Sequence, residues 1–194
     1  MFVLGFPIRP LRVVAALVAG LGLVGTASCG AAPVATPPAP AGATVSSSSR
    51  LLPGEIVVTG AVRHPGIRLT LAQLTTMPTH TVTVSFGSAK GTESHTETGV
   101  PVATLLDQLG LATDATRKDD ELSFAILAIG ADGYRAVVSY GEISPTLGNR
   151  GVLVSIAQDG IPLAQPRLIV PGDVKGGRDV TNLVRLHVTR VVPH

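Results

Sequence analysis

Apolar and polar residues alternate along much of this chain, and the alternation marks strands. Between Glu55 and Val62, Ile56, Val57, Val58 and Val62 form an apolar run that stops at the turn-like Arg63-His64-Pro65-Gly66. Thr81–Phe86 alternates strictly, with Val82, Val84 and Phe86 on one face of a half-buried strand. Ser123–Ile129 and Arg135–Tyr140 flank Gly130-Ala131-Asp132-Gly133, which has the composition of a hairpin turn. Further strands are predicted at Val152–Ile156, Arg167–Val170 and Leu183–Val191, and Asp159-Gly160 reads as another turn. Two helices break the series. Thr70-Leu71-Ala72-Gln73 fits a capping box, opening a short helix that runs to Met77 and stops at Pro78. Pro101 opens a second, whose Val102, Leu105, Leu106 and Leu109 share one stripe, with Gly110 as the residue past its end. The pattern predicts one α+β or mainly β domain over residues 51–194.

The first thirty residues have a different pattern. Met1–Arg12 carries two arginines and no acid, Val13–Val24 is uncharged and largely aliphatic, and small residues lead to Cys29. A basic start, a short apolar stretch and a small-residue cut site describe an export signal over residues 1–29. A bilayer-spanning reading would drive Arg9 and Arg12 into hydrocarbon, at high cost. Ala27-Ser28-Cys29 resembles the end of a bacterial lipobox, with Thr26 in place of the usual aliphatic residue. That resemblance implies a lipidated Cys29 that holds the mature chain on the outer face of the cytoplasmic membrane. Ordinary cleavage and secretion is the alternative. Residues 30–50 hold four prolines and four consecutive serines, with nothing larger than Val except the closing Arg50. They bury too little apolar surface to repay ordering, so they are expected to form a disordered tether.

Composition narrows the function. A single cysteine excludes a disulfide framework and any Cys-rich metal site. With six aromatics and no Trp, the chain lacks a base-stacking platform, so no nucleic-acid partner is expected. Of 15 Lys and Arg, Arg9 and Arg12 fall in the export signal, leaving 13 against 13 Asp and Glu. That balance predicts no basic footprint for DNA, RNA or anionic lipid.

Several short motifs then follow one another in a recognisable order. They are Val58-Thr59-Gly60-Ala61-Val62 with Pro65-Gly66, Leu69–Leu74 with Pro78, Gly99-Val100-Pro101-Val102 with Leu105-Leu106, Asp132-Gly133-Tyr134, and Pro171-Gly172 through Gly176-Gly177-Arg178-Asp179-Val180. Across residues 55–192 this order resembles the sulfite-oxidase-type molybdopterin-binding domain. The resemblance implies a compact α+β domain with mixed β-sheets and short helices, and a molybdopterin cofactor. It also implies a cysteine thiolate on molybdenum just after the strand Thr81–Phe86. Here that stretch reads Gly87-Ser88-Ala89-Lys90-Gly91, and the domain has no cysteine. Serine is a hard, high-pKa donor and a poor substitute for thiolate, so no molybdenum is expected. In the closing segment Thr181 and Asn182 stand where the family has a lysine and an aromatic residue.

The remaining candidates suit anions. Ser88 and Lys90 lie in a glycine-flanked loop whose amides and ammonium can hold a phosphate, although a plain polar hairpin has the same composition. Lys175 and Arg178 on the Gly-rich Pro171–Arg178 loop, joined by Arg150, form a second set for an anionic small molecule or a pterin phosphate. If extended, Thr92–Thr98 sets Glu93, His95 and Glu97 on one side. Such a row could bind a divalent ion with His80, raise the His95 pKa, or simply charge an exposed strand edge. Two readings follow, a molybdopterin oxidoreductase and a non-catalytic module that binds an anion or an envelope protein partner.

Overall fold

Local sequence signals close the ends of most elements. The computed structural model describes residues 50–192. The export signal with Cys29, residues 30–49 of the tether, and His194 lie outside the described residues.

The elements are β1 (Glu55–Gly60), β2 (Ile67–Thr70), α1 (Leu71–Thr75), β3 (His80–Ser88), β4 (Gly91–Pro101), α2 (Val102–Leu109), β5 (Phe124–Gly130), β6 (Arg135–Ser139), α3 (Tyr140–Ile143), β7 (Leu153–Gln158), β8 (Ile161–Ile169) and β9 (Leu183–Arg190). Single 3-10 turns cover Asp120–Ser123 and Gly176–Arg178. The expected box at Thr70 is present, with the Thr70 hydroxyl accepting from Gln73 N–H and the Gln73 side chain accepting from Thr70 N–H. Gly110 ends α2 at φ +67°, a backbone that favours a residue without Cβ. The structure adds β2 and α3, which the periodicity does not reveal. It also extends β8 back to Ile161, through Pro162 and Pro166. Two prolines are tolerated there because β8 is an edge strand, where missing N–H donors face away from the ladder.

The strands form two sheets. One is five-stranded and mixed, in the order β2-β1-β9-β5-β6, with β1 and β9 parallel and the other pairs antiparallel. The other is antiparallel, in the order β3-β4-β7-β8. This is an α+β domain with mixed sheets and short helices, as expected.

The main core unites Ile56 and Val58 of β1, Ile126 of β5, Leu186 and Val188 of β9, Leu105 and Leu106 of α2, and Val154 and Leu168 of the second sheet. The other face of the second sheet carries a smaller cluster, with Val84, Leu153 and Ile169 buried and Val82 and Phe86 packed on them. Gly99 sits at a bulge in β4, where an added Cβ would come within 2.1 Å of the Val154 carbonyl oxygen. Only glycine lets β7 lie that close. The candidate site lies at the end of the smaller cluster.

Candidate functional site

The β3–β4 hairpin is in register from His80–Gly99 to Ser88–Gly91, so the sequence Ser88-Ala89-Lys90-Gly91 makes its tip. Ser88 Oγ accepts from Lys90 N–H at 3.0 Å, and Gly91 takes φ +108°. The Gly-rich loop after β8 docks beside this tip. Gly87 N–H donates to the Val174 carbonyl at 2.9 Å, and Gly87 forms a parallel bridge with Lys175. One residue on, Gly176 lies against the Phe86 ring, where an added Cβ would come within 2.9 Å of Cδ2. Two segments almost ninety residues apart thereby bring Ser88, Lys90 and Lys175 to one end of the sheet. Lys90 and Lys175 are exposed, and neither ammonium makes an ion pair among the described residues.

From the tip a polar chain runs along β4. The Ser88 hydroxyl is the main cause holding the Glu93 carboxyl below its ordinary pKa, followed by His95 and the nearby Lys90. Glu93 Oε2 stands 3.6 Å from His95 Nε2, and His95 Nδ1 donates to Asp159 Oδ2 at 2.8 Å. Asp159 is fixed in turn by Thr96 N–H at 2.8 Å. Its hydrogen bond raises the His95 pKa, with Glu93 adding to the effect, while His95 depresses Asp159. The imidazole is therefore held toward its charged form. Phe86 tilts over it, with ring centroids 6.3 Å apart.

The register of β4 sets Glu93, His95 and Glu97 on one side, opposite Phe86, Val84 and Val82 of β3. β7 pairs only with Glu97–Pro101 of β4, so Glu93 and His95 stand on the stretch paired to β3 alone, an open edge as expected, while Glu97 lies inside the sheet. The rest of that expectation needs correction. Glu93 and Asp159 hold opposite nitrogens of the His95 ring and cannot converge on one ion with it. Glu97 is 1% exposed and turns away, accepting from Ser155 Oγ at 2.6 Å and Gln158 Nε2 at 2.9 Å, with Arg167 at 3.5 Å. No metal-binding group of His, Cys, Asp and Glu forms among the described residues.

The arginines do converge. Arg178 donates through Nη2 and Nε to the two oxygens of Asp173, at 2.6 and 2.7 Å, and through Nη1 to Glu142 at 3.1 Å. Arg150 reaches the same Asp173 at 3.1 Å. The fork on Arg178 depresses the Asp173 pKa. The Ser139 N–H, with Arg178 behind it, depresses that of Glu142. Tyr134 OH completes the loop by donating to the Gly177 carbonyl. Both guanidinium groups therefore already have carboxylate partners.

Sequence reading missed the three acids that matter here. Asp159 registered only as part of an Asp-Gly turn, and Asp173 only as part of a Gly-rich loop. Glu142 carried a usable signal, because Ser139-Tyr140-Gly141-Glu142 is a capping box and the structure forms it. Two further titratable groups are also engaged. His187 Nδ1 lies 3.0 Å from Thr59 Oγ1, and Asp120 is buried beneath Arg190, accepting from Asp114 N–H. His64 shows no such contact among the described residues.

No family model matches the chain, and no curated protein matches it. Among solved structures it is similar to the sulfane dehydrogenase SoxCD from Paracoccus pantotrophus, with a TM-score of 0.56 at 19% identity. The match covers 70% of this chain and 38% of that one, so the chain spans well under half of the SoxCD chain. That likeness establishes a shared fold and supports, at the level of fold, the oxidoreductase-domain resemblance carried by the motifs.

Proposed function

We propose that this chain is an exported domain, anchored through Cys29, that uses a sulfite-oxidase-type fold to bind an anionic small molecule without molybdenum redox chemistry. The residues present do not fit the molybdenum cofactor. Where the resemblance calls for a thiolate stands Ser88, a hard donor already engaged with Lys90 N–H and Glu93. Where it calls for a phosphate contact stands Arg178, whose donors already meet Asp173 and Glu142. A ligand phosphate there would have to displace two carboxylates.

The observation that carries the reading is the Gly87–Lys175 junction. It brings two lysines from distant segments to one exposed tip, and neither ammonium makes an ion pair among the described residues, although Glu93 lies near Lys90. Arg150 and Arg178 tie the same loop through Asp173, and Arg178 ties it to Glu142. Backbone amides of a glycine-rich tip and two ammonium groups make a cradle for a phosphate-like group.

A second reading is favoured by the fold shared with a sulfane dehydrogenase. In it the chain is an oxidoreductase that holds a pterin through Arg150, Lys175 and Arg178. Calorimetric titration with pyrophosphate separates the two. On the binding-module reading the wild type takes up pyrophosphate, and Lys90→Gln with Lys175→Gln weakens it at least tenfold. Unchanged affinity in that double variant, or no uptake by the wild type, counts against it.

A further inference from the structure

The balance of 13 cations and 13 acids hides a segregation in space. The outer face of the five-stranded sheet carries a row set by strand register. Arg68 of β2 pairs with Val57 of β1, Val57 with Arg185 of β9, Arg185 with Ile129 of β5, and Ile129 with Arg135 of β6. Directly paired residues share a face, and strands lie about 4.8 Å apart, so the three arginines stand about 10 Å from one another across roughly 20 Å. Arg50 joins them, lining a cavity of about 490 Å³ with Arg68, Arg185 and Val57. Arg135 and Arg185 are exposed and have no acidic partner among the described residues. The one acid that the strands place on this face is Glu55, 3.4 Å from Arg68.

Apolar side chains fill the gaps. Val57 and Ile129 lie within the row, and Leu127 and Val137 lie in the next, with Val137 52% exposed. We infer that this sheet face docks on a bilayer surface rich in anionic lipid, the arginines meeting headgroup phosphates and the interleaved aliphatic side chains facing the interface.

Three observations select that occupant. An array spread across all five strands suits many headgroups better than one small anion, which needs donors that converge. No aromatic residue stands in the row to stack a base, which disfavours single-stranded nucleic acid. Residues 1–49 contain no Asp or Glu, so the segment that joins at Arg50 cannot neutralise the face. In one respect the inference rests on the anchor reading. Cys29 lies 21 residues before Arg50, a reach of roughly 25 Å as a coil and about 65 Å if extended. A lipid there would bring the bilayer within range of the face to which its tether leads.

The test separates the face from the anchor. A chain of residues 30–194 keeps every described element and lacks Cys29, and it is sedimented with large vesicles at 0.1 M salt. Expected is binding to phosphatidylglycerol–phosphatidylcholine vesicles and none to pure phosphatidylcholine. Each of Arg135→Gln and Arg185→Gln should cut the partition coefficient about fivefold. Lys118→Gln, a loop cation away from this sheet face, should leave it unchanged. Equal binding to both vesicle types, no binding to either, or equal partition of the arginine variants overturns the inference. So does arginine-dependent capture on heparin without vesicle binding, which would assign the face to a soluble polyanion.

Discussion

Asp173 closes a two-pronged fork with Arg178, at 2.6 and 2.7 Å, and the same carboxylate takes Arg150 at 3.1 Å. One acid thus engages both arginines expected to form an anion cradle, and Glu142 takes a third donor of Arg178. Asp173→Asn should destabilise the domain by about 1–2 kcal/mol, since charge-assisted bonds near the surface are lost. It should also tighten pyrophosphate binding several-fold by releasing Arg150 and two of the Arg178 donors, while Arg178 keeps Glu142. Thermal melts and calorimetry on the one variant check both. Weaker binding would mean that Asp173 orients the arginines for the ligand instead of competing with it.

His95 should titrate above its usual value of 6.5, because Asp159 and Glu93 both favour the imidazolium. Since the folded pKa is the higher one, this contribution to stability is complete below the unfolded value and fades as pH rises through the folded value. Asp159 and Glu93 have depressed pKa values, so their share is present above their ordinary values and is lost as pH falls through the folded ones. Proton NMR of the His95 ring, with Asp159→Asn returning it toward 6.5, tests the assignment. A wild-type pKa at or below 6.5 would contradict it.

Breaking the buried acid of β4 should be costly. Glu97→Ala leaves Arg167 facing an apolar space beside Ser155 and Gln158, with an expected loss of about 3–5 kcal/mol. Glu97→Gln keeps hydrogen-bonding capacity and should lose less. Urea denaturation of the pair reads the difference, and equal losses would show that shape, not charge, matters there.

Gly176→Ala drives a Cβ toward the Phe86 ring. The ring can yield, so stability should fall by only about 1 kcal/mol. The Lys175 loop moves with it, so pyrophosphate affinity should drop more than stability does. Parallel loss of both would make Gly176 a packing position alone.

How much of this was legible depended on the range of each interaction. The Thr70–Gln73 box, the Gly110 stop and the strand pair around Gly130–Gly133 are decided within a few residues, and the sequence shows them. The facing of Glu93, His95 and Glu97 followed from alternation alone. Partner choice did not. His95 meets Asp159 across 64 residues, Arg178 meets Glu142 across 36, and Asp120 is buried under Arg190. A charged run such as Arg117–Glu121 reads as solvated until the fold supplies the counter-ion. The arginine row was equally hidden, because three strands distant in sequence contribute one arginine each and Arg50 joins from before β1.

The central claim is that Ser88 and the occupied Arg178 leave no place for a molybdenum cofactor. Elemental and pterin analysis of the protein purified from its native host tests this most directly. The account predicts molybdenum far below one atom per chain and no pterin released on denaturation. One molybdenum and one pterin per chain would contradict it.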